Sequence, residues 1–198
     1  MKKLLFATVA VFAFGFTNAQ ESETSGFAKG DVFVTGAFSI SGTNNKNNDE
    51  KTSYFEIAPQ VNYFVTENIS LGAKIGYTSD KAEDNLGDTM DESTVAFGLV
   101  GRYYLTPASK FSLFGQLGFE YMSMTDNLSS PEFKVNGFGA GLGLGLNYFV
   151  SSNFSIEAGV AALEFASAKA DVPNAENVTA FGFGGDWRSV SFGVNYKF

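Results

Sequence analysis

Glu56, Lys74, Arg102, Glu120 and Glu157 are the side chains best suited to chemistry, because each breaks an otherwise small or apolar stretch. Glu56 and Glu120 are of the type that hydrolyses glycosides in pairs, although nothing in their spacing sets a separation. The chain of 198 residues holds no His and no Cys. That removes His-based triads, the commonest general base, most zinc sites and thiolate metal centres together. Gly137, Gly139, Gly141, Gly143 and Gly145 share one parity, so GxGxxG spacing cannot occur among them, and no GK[ST] follows. They read as room for bulky neighbours such as Phe114 and Phe149. The stretch "DKAEDNLGDTMDE" carries six acids. A calcium loop with Gly87 in the invariant position would put Ala82 and Leu86 where ligands are needed, so the stretch reads as a solvated loop. The expectation is no enzyme, no metal and no cofactor. Net charge is −8 with no basic cluster, which argues against nucleic acid.

The elements that must hold these residues have a period of two. In "TVAFGLVGRYYL", Val95, Phe97, Leu99 and Tyr103 oppose Ala96, Gly98 and Arg102. In "ISLGAKIGYT", Ile69, Leu71, Ile75 and Tyr77 oppose Ser70, Gly72, Lys74 and Gly76. In "DVFVTGAFSI" the alternation holds except at Phe33. Similar patterns predict eight strands, at about 31–41, 53–65, 69–78, 93–105, 111–122, 134–150, 154–165 and 188–198, with a bulge near Ala162. Short connections, "TEN", "TPASK" and "SSN", alternate with long polar ones, "SGTNNKNNDEKT", "SDKAEDNLGDTMDE", "MTDNLSSPEF" and the stretch from about Ala166 to Trp187.

The N-terminus reads as an export signal: Lys2 and Lys3, an apolar run from Leu4 to Phe16, and cleavage after Ala19. The run is shorter than the roughly 20 residues of a spanning helix. Residues 1–19 are thus a leader, 20–29 a short N-terminal segment and 30–198 one domain. Without Lys2 and Lys3 the balance is 11 bases against 21 acids, or −10.

One face of the strands is Val, Leu, Ile, Phe and Tyr; the other is mostly Gly, Ser and Ala with few charges. The second face is too small and sparsely charged to be a solvated surface. It suits the crowded interior of an eight-stranded barrel, with hydrocarbon outside. Tyr63, Tyr103 and Tyr148 precede the short turns as one aromatic belt, and Phe55, Tyr77, Tyr121 and Phe138 form another near the long loops. Only helices and closed barrels satisfy every backbone group in lipid. The fold class is therefore all-β, an eight-stranded antiparallel up-and-down transmembrane barrel. Glu56, Lys74, Arg102, Gln116, Glu120 and Glu157 would form a polar network in its lumen, centred on Arg102 and Glu157. The competing possibility is a thin polar path for small solutes.

The leader, the alternating strands, the short-turn and long-loop pattern and the terminal "VSFGVNYKF" resemble the OmpA/OmpX-type small outer-membrane barrels. The resemblance implies a Gram-negative outer-membrane location, with short turns toward the periplasm. It implies that Val190, Phe192, Val194, Tyr196 and Phe198 are a C-terminal signal for the outer-membrane assembly machinery. It departs from OmpA in having no peptidoglycan-binding domain after the last strand. The expected partners are membrane lipid, lipopolysaccharide and, through the long loops, a surface ligand of unidentified kind; the expected state is a monomer. The function expected is structural, adhesive or recognition; the alternatives are a small-solute channel and a soluble lipocalin-like binder. Val194→Arg is expected to cost about 2–4 kcal/mol, with Asn195 facing the lumen instead.

Overall fold

The computed structural model describes residues 25–36, 38–46, 49–184 and 190–198. The leader read at 1–19, residues 20–24 and positions 188–189 of the last expected strand lie outside the described residues. The first expected strand is β1 (Val32–Gly36) and β2 (Phe38–Asn45). The second is β3 (Glu50–Ile57) and β4 (Gln60–Phe64), parted at Pro59, which has no N–H for the ladder. β5 (Ile69–Asp84), β6 (Gly87–Tyr104), β7 (Phe111–Asp126), β8 (Phe133–Phe149) and β9 (Phe154–Ala170) follow. β10 (Val178–Phe183) and β11 (Ser191–Lys197) complete the chain.

Pairing is antiparallel throughout and runs β1–β4–β5–β6–β7–β8–β9–β11. β11 then pairs back onto β1, with Phe33 opposite Lys197 and Gly36 opposite Val194. The ring closes, which removes the sheet edges there and satisfies the backbone in a non-aqueous surround. The break in phase near Ala162 is a β-bulge, for Leu142 pairs with Leu163 while Gly143 pairs with Ala161. β9 regains its facing by that extra residue.

The long connections are mostly strand. β5 and β6 stay paired from Ile69↔Tyr103 to Asp84↔Gly87, well beyond the expected limits of 78 and 93. β2 and β3 stay paired out to Asn45↔Glu50. β9 continues to Ala170 and pairs with β10. Once two strands are in register, each further residue adds ladder bonds without a new closure cost, so polar, β-tolerant residues extend the hairpin into water. The β5–β6 turn is closed by the Asp84 carboxylate, which accepts the Leu86 N–H at 2.7 Å, and by Gly87 at φ +132°.

Facing follows the alternation. Leu71, Phe97, Leu99, Leu113, Phe119, Leu144 and Val194 are all exposed on the outside of the ring. Phe33, Phe64, Tyr104, Phe114 and Phe149 are buried inside it. Tyr63, Tyr103 and Tyr148 lie on the outer surface beside the short turns.

Candidate functional site: the lumen

The lumen is built by pairing large inward side chains with glycine on the neighbouring strand. Phe114 is registered opposite Gly145, and a Cβ built there would collide with the Phe114 ring. Asn62 stands opposite Gly72 and Glu157 opposite Gly193 in the same manner. Of the glycine run of β8, Gly145 serves this role beside Phe114, while Gly137, Gly139, Gly141 and Gly143 face the neighbouring backbone and side chains of β9, and none of the five meets Phe149. Gly145→Ala should therefore cost about 1–3 kcal/mol by overpacking. Denaturant unfolding in lipid vesicles would measure it, and Phe114→Ala in the same chain should recover part of the loss.

Arg102 and Glu157 meet across the barrel from β6 and β9. Nη1 donates to Glu157 Oε2 at 2.8 Å and Nη2 to Oε1 at 3.1 Å, a bidentate pair. The side chains are only 5 % and 11 % exposed. Arg102 Nε donates to Gln116 Oε1 at 2.6 Å, and Nη1 also reaches the Tyr104 hydroxyl at 3.3 Å. The guanidinium lies 4.7 Å from the Phe114 ring centre. Glu157 Oε2 accepts a further bond from Asn195 Nδ2 at 2.9 Å. Buried charges are tolerable when their donors and acceptors are filled in this way.

Lys74 pairs with Glu120 by an ion pair that passes over Gly98 of β6. Without a side chain at Gly98, residues two strands apart can touch. Glu56 joins neither cluster: it accepts the Tyr54 hydroxyl at 2.8 Å. The six polar residues expected to form one network are thus an Arg102–Glu157–Gln116 brace, a Lys74–Glu120 pair and a separate Glu56. A cavity of about 860 Å³ opens beside the brace and is lined by Glu56, Lys74, Glu120 and Glu164 among others.

Below the brace, Asn195 Nδ2 donates to Asn147 Oδ1 at 3.0 Å and to Ser155 Oγ at 3.2 Å. All three residues are buried. Asn195, expected simply to face the lumen, is a packed and hydrogen-bonded part of it. The aromatic cluster of Phe33, Phe64, Tyr104, Phe114 and Phe149 lies next to the short turns. Sequence reasoning placed Phe114 and Phe149 inside the barrel and missed the other three rings. The cluster's signal is the aromatic doublets Tyr63-Phe64, Tyr103-Tyr104 and Tyr148-Phe149, in which the first ring faces out and the second in. The cluster also takes in Phe27, from the segment before β1.

The C-terminal residues are all placed. Phe192 and Val194 point outward and exposed, and Val190 is half-buried. Tyr196 stacks edge-on against Phe154 at 4.9 Å and Phe198 at 5.0 Å. The Phe198 N–H donates to Val32 O at 3.0 Å, so the chain end is fixed to β1.

At the opposite mouth, Asp91 of β6 joins Lys81 of β5 to Asn127, the residue that follows β7. It accepts Lys81 Nζ at 2.7 Å and Asn127 Nδ2 at 3.0 Å. These two bonds hold its carboxyl below the ordinary value of 3.8. A depressed carboxyl supports the fold above its unfolded pKa, and that support is lost as pH falls through the lowered value. Carboxyl 13C titration by NMR should find the midpoint below that of an unfolded peptide, and Lys81→Gln should raise it. Among the described residues, no group of three or more His, Cys, Asp or Glu is arranged to hold a metal.

A family model described as the outer membrane protein beta-barrel domain matches residues 6–198. Among solved structures, OprG of Pseudomonas aeruginosa is 17% identical with a TM-score of 0.54, covering 87% of this chain and 98% of its own. Neisserial surface protein A is 17% identical with a TM-score of 0.52, covering 87% of this chain and 99% of its own. At that identity the likeness is one of fold. No curated protein matches the chain.

Proposed function

Because the chain belongs to the outer membrane protein β-barrel family, we propose that it is a non-enzymatic, non-conducting barrel of the Gram-negative outer membrane. Its role is structural support, adhesion or surface recognition through its outer hairpins. The observation that carries the reading is the Arg102–Glu157 brace, which spans the lumen with both partners desolvated. An ion crossing that level would have to separate a bidentate pair. The hairpins supply the surface. β5 and β6 run past the outer aromatics, with Lys51–Glu83 and Lys81–Asp91 ion pairs on their flanks.

The export signal at 1–19 fits this location. Val190, Phe192, Val194, Tyr196 and Phe198 would be what the assembly machinery reads, and lipid with lipopolysaccharide would surround a single barrel. The absence of His from the chain argues against catalysis of the kinds that rely on it. A soluble, lipocalin-like binder does not fit a family of membrane barrels. A small-solute channel is the second reading, favoured by the cavity of about 860 Å³. Purified protein in planar bilayers should give no channel events above the lipid background. A steady single-channel conductance would replace this reading with the channel. Replacing residues 80–91 by a short turn should leave the heat-modifiable barrel band on gels intact while removing any adhesion the surface confers.

A further inference from the structure

The segment Ser25–Gly30 lies before the first strand and is folded into the barrel mouth on the short-turn side. Phe27 is only 2 % exposed. Its ring is 4.6 Å from Phe33, 4.8 Å from Phe64, 4.7 Å from Phe149 and 5.6 Å from Tyr104, so it fills the centre of the aromatic cluster. The backbone is anchored from three directions. The Phe27 N–H donates to Pro107 O at 2.7 Å, in the turn between β6 and β7. The Gly30 N–H donates to Phe64 O at 2.9 Å. Lys197 Nζ, on the last strand and itself buried, donates to Gly26 O at 2.6 Å. Asp31 holds the turn by accepting the Ala28 N–H at 2.9 Å. Gly26 has φ +146°, and a Cβ there would strike the backbone of Ala108. Only glycine lets the segment pass this close beneath the turn.

An apolar ring in a polar stretch, held by strands from both ends of the chain, does more than trail from a barrel. We propose that Ser25–Gly30 is a periplasmic plug that seals the barrel mouth, a second barrier in series with the Arg102–Glu157 brace. The proposal rests on the non-conducting reading for its orientation and for the meaning of the seal.

The chain has no Cys, so one introduced thiol reports without background. Ser70 is buried and is registered between Phe64 and Arg102, beside the aromatic cluster that Phe27 fills. In proteoliposomes, Ser70→Cys should react slowly with a small charged methanethiosulfonate added on the short-turn side. Adding Phe27→Ala should speed labelling at least about ten-fold, because the mouth opens. Gly26→Ala, which removes no ring but forces the segment off the Ala108 backbone, should do the same, and it serves if Phe27→Ala does not fold. Phe27→Leu, which keeps an apolar filler, should stay slow. In planar bilayers, Phe27→Ala and Arg102→Ala should each remain silent, and the double variant should conduct. Unchanged labelling in both Phe27→Ala and Gly26→Ala, with a silent parent protein, would overturn the plug alone. Conductance from either single variant equal to the double would overturn the series arrangement. Conductance of the unaltered protein would overturn the non-conducting reading and the seal with it.

Discussion

Replacing Glu157 by alanine should destabilise the barrel by about 3–5 kcal/mol, the cost of leaving a buried charge without its partner. The guanidinium of Arg102 would remain in place, only 5 % exposed, with Gln116 and the Tyr104 hydroxyl as its remaining polar contacts. Asn195 would lose an acceptor at the same time. The paired replacement Arg102→Met with Glu157→Leu should recover most of the loss, since an apolar pair of similar volume needs no desolvated charge. Urea unfolding in vesicles of defined lipid, run as a double-mutant cycle, separates the pair from its surroundings. A cost below about 1 kcal/mol for Glu157→Ala would mean that water reaches the guanidinium and that the brace is no barrier.

An arginine on the outer wall should be nearly as costly. Leu99 lies on the outer face of β6 midway between Tyr103 and Val95 and is 66 % exposed, where a membrane barrel meets hydrocarbon. Leu99→Arg should cost about 2–4 kcal/mol at that depth. The control belongs on the inner face, at a position with space. Gly118 pairs with Val100 and Gly141, and the nearest atom to a Cβ there is 4.0 Å away. Gly118→Arg should leave the unfolding midpoint close to the parent. Equal effects at the two positions would show that the outer wall does not face lipid. Alternation alone would have made Asn195 the natural inner control for Val194. It is a poor one, because Asn195 is packed against Asn147, Ser155 and Glu157. An arginine there would be costly by overpacking, which is a different reason from burial in lipid.

Much of the lumen was legible as a set of positions and little of it as a set of contacts. Arg102 and Glu157 could be placed at similar heights by counting from the short turns, and they do meet. Glu56 and Glu120 could both be placed toward the long loops, yet one accepts Tyr54 and the other pairs with Lys74. Counting along a strand gives height; it does not give the position around the ring. Phe114 and Phe149 are legible as inward rings; that they pack with Phe33, Phe64 and Tyr104 around Phe27 is not. No pattern on either side of Phe27 announces it, for a single aromatic in "SGFAKG" has no period.

Legible in the sequence were the eight strands of the closed ring, the inward and outward faces, the bulge near Ala162 and the alternation of short and long connections. Each of these is carried by residues adjacent in the chain, where a period of two assigns the face regardless of what lies beyond. Beyond the Arg102–Glu157 pair, which inward groups touch was settled by packing: Lys74 with Glu120 over Gly98, Glu56 with Tyr54, Phe27 with Phe33 of the first strand, and Gly26 with Lys197 of the last. Contacts between strands depend on their stagger and on ring closure. Both are set by pairing among distant segments, and no local period encodes them.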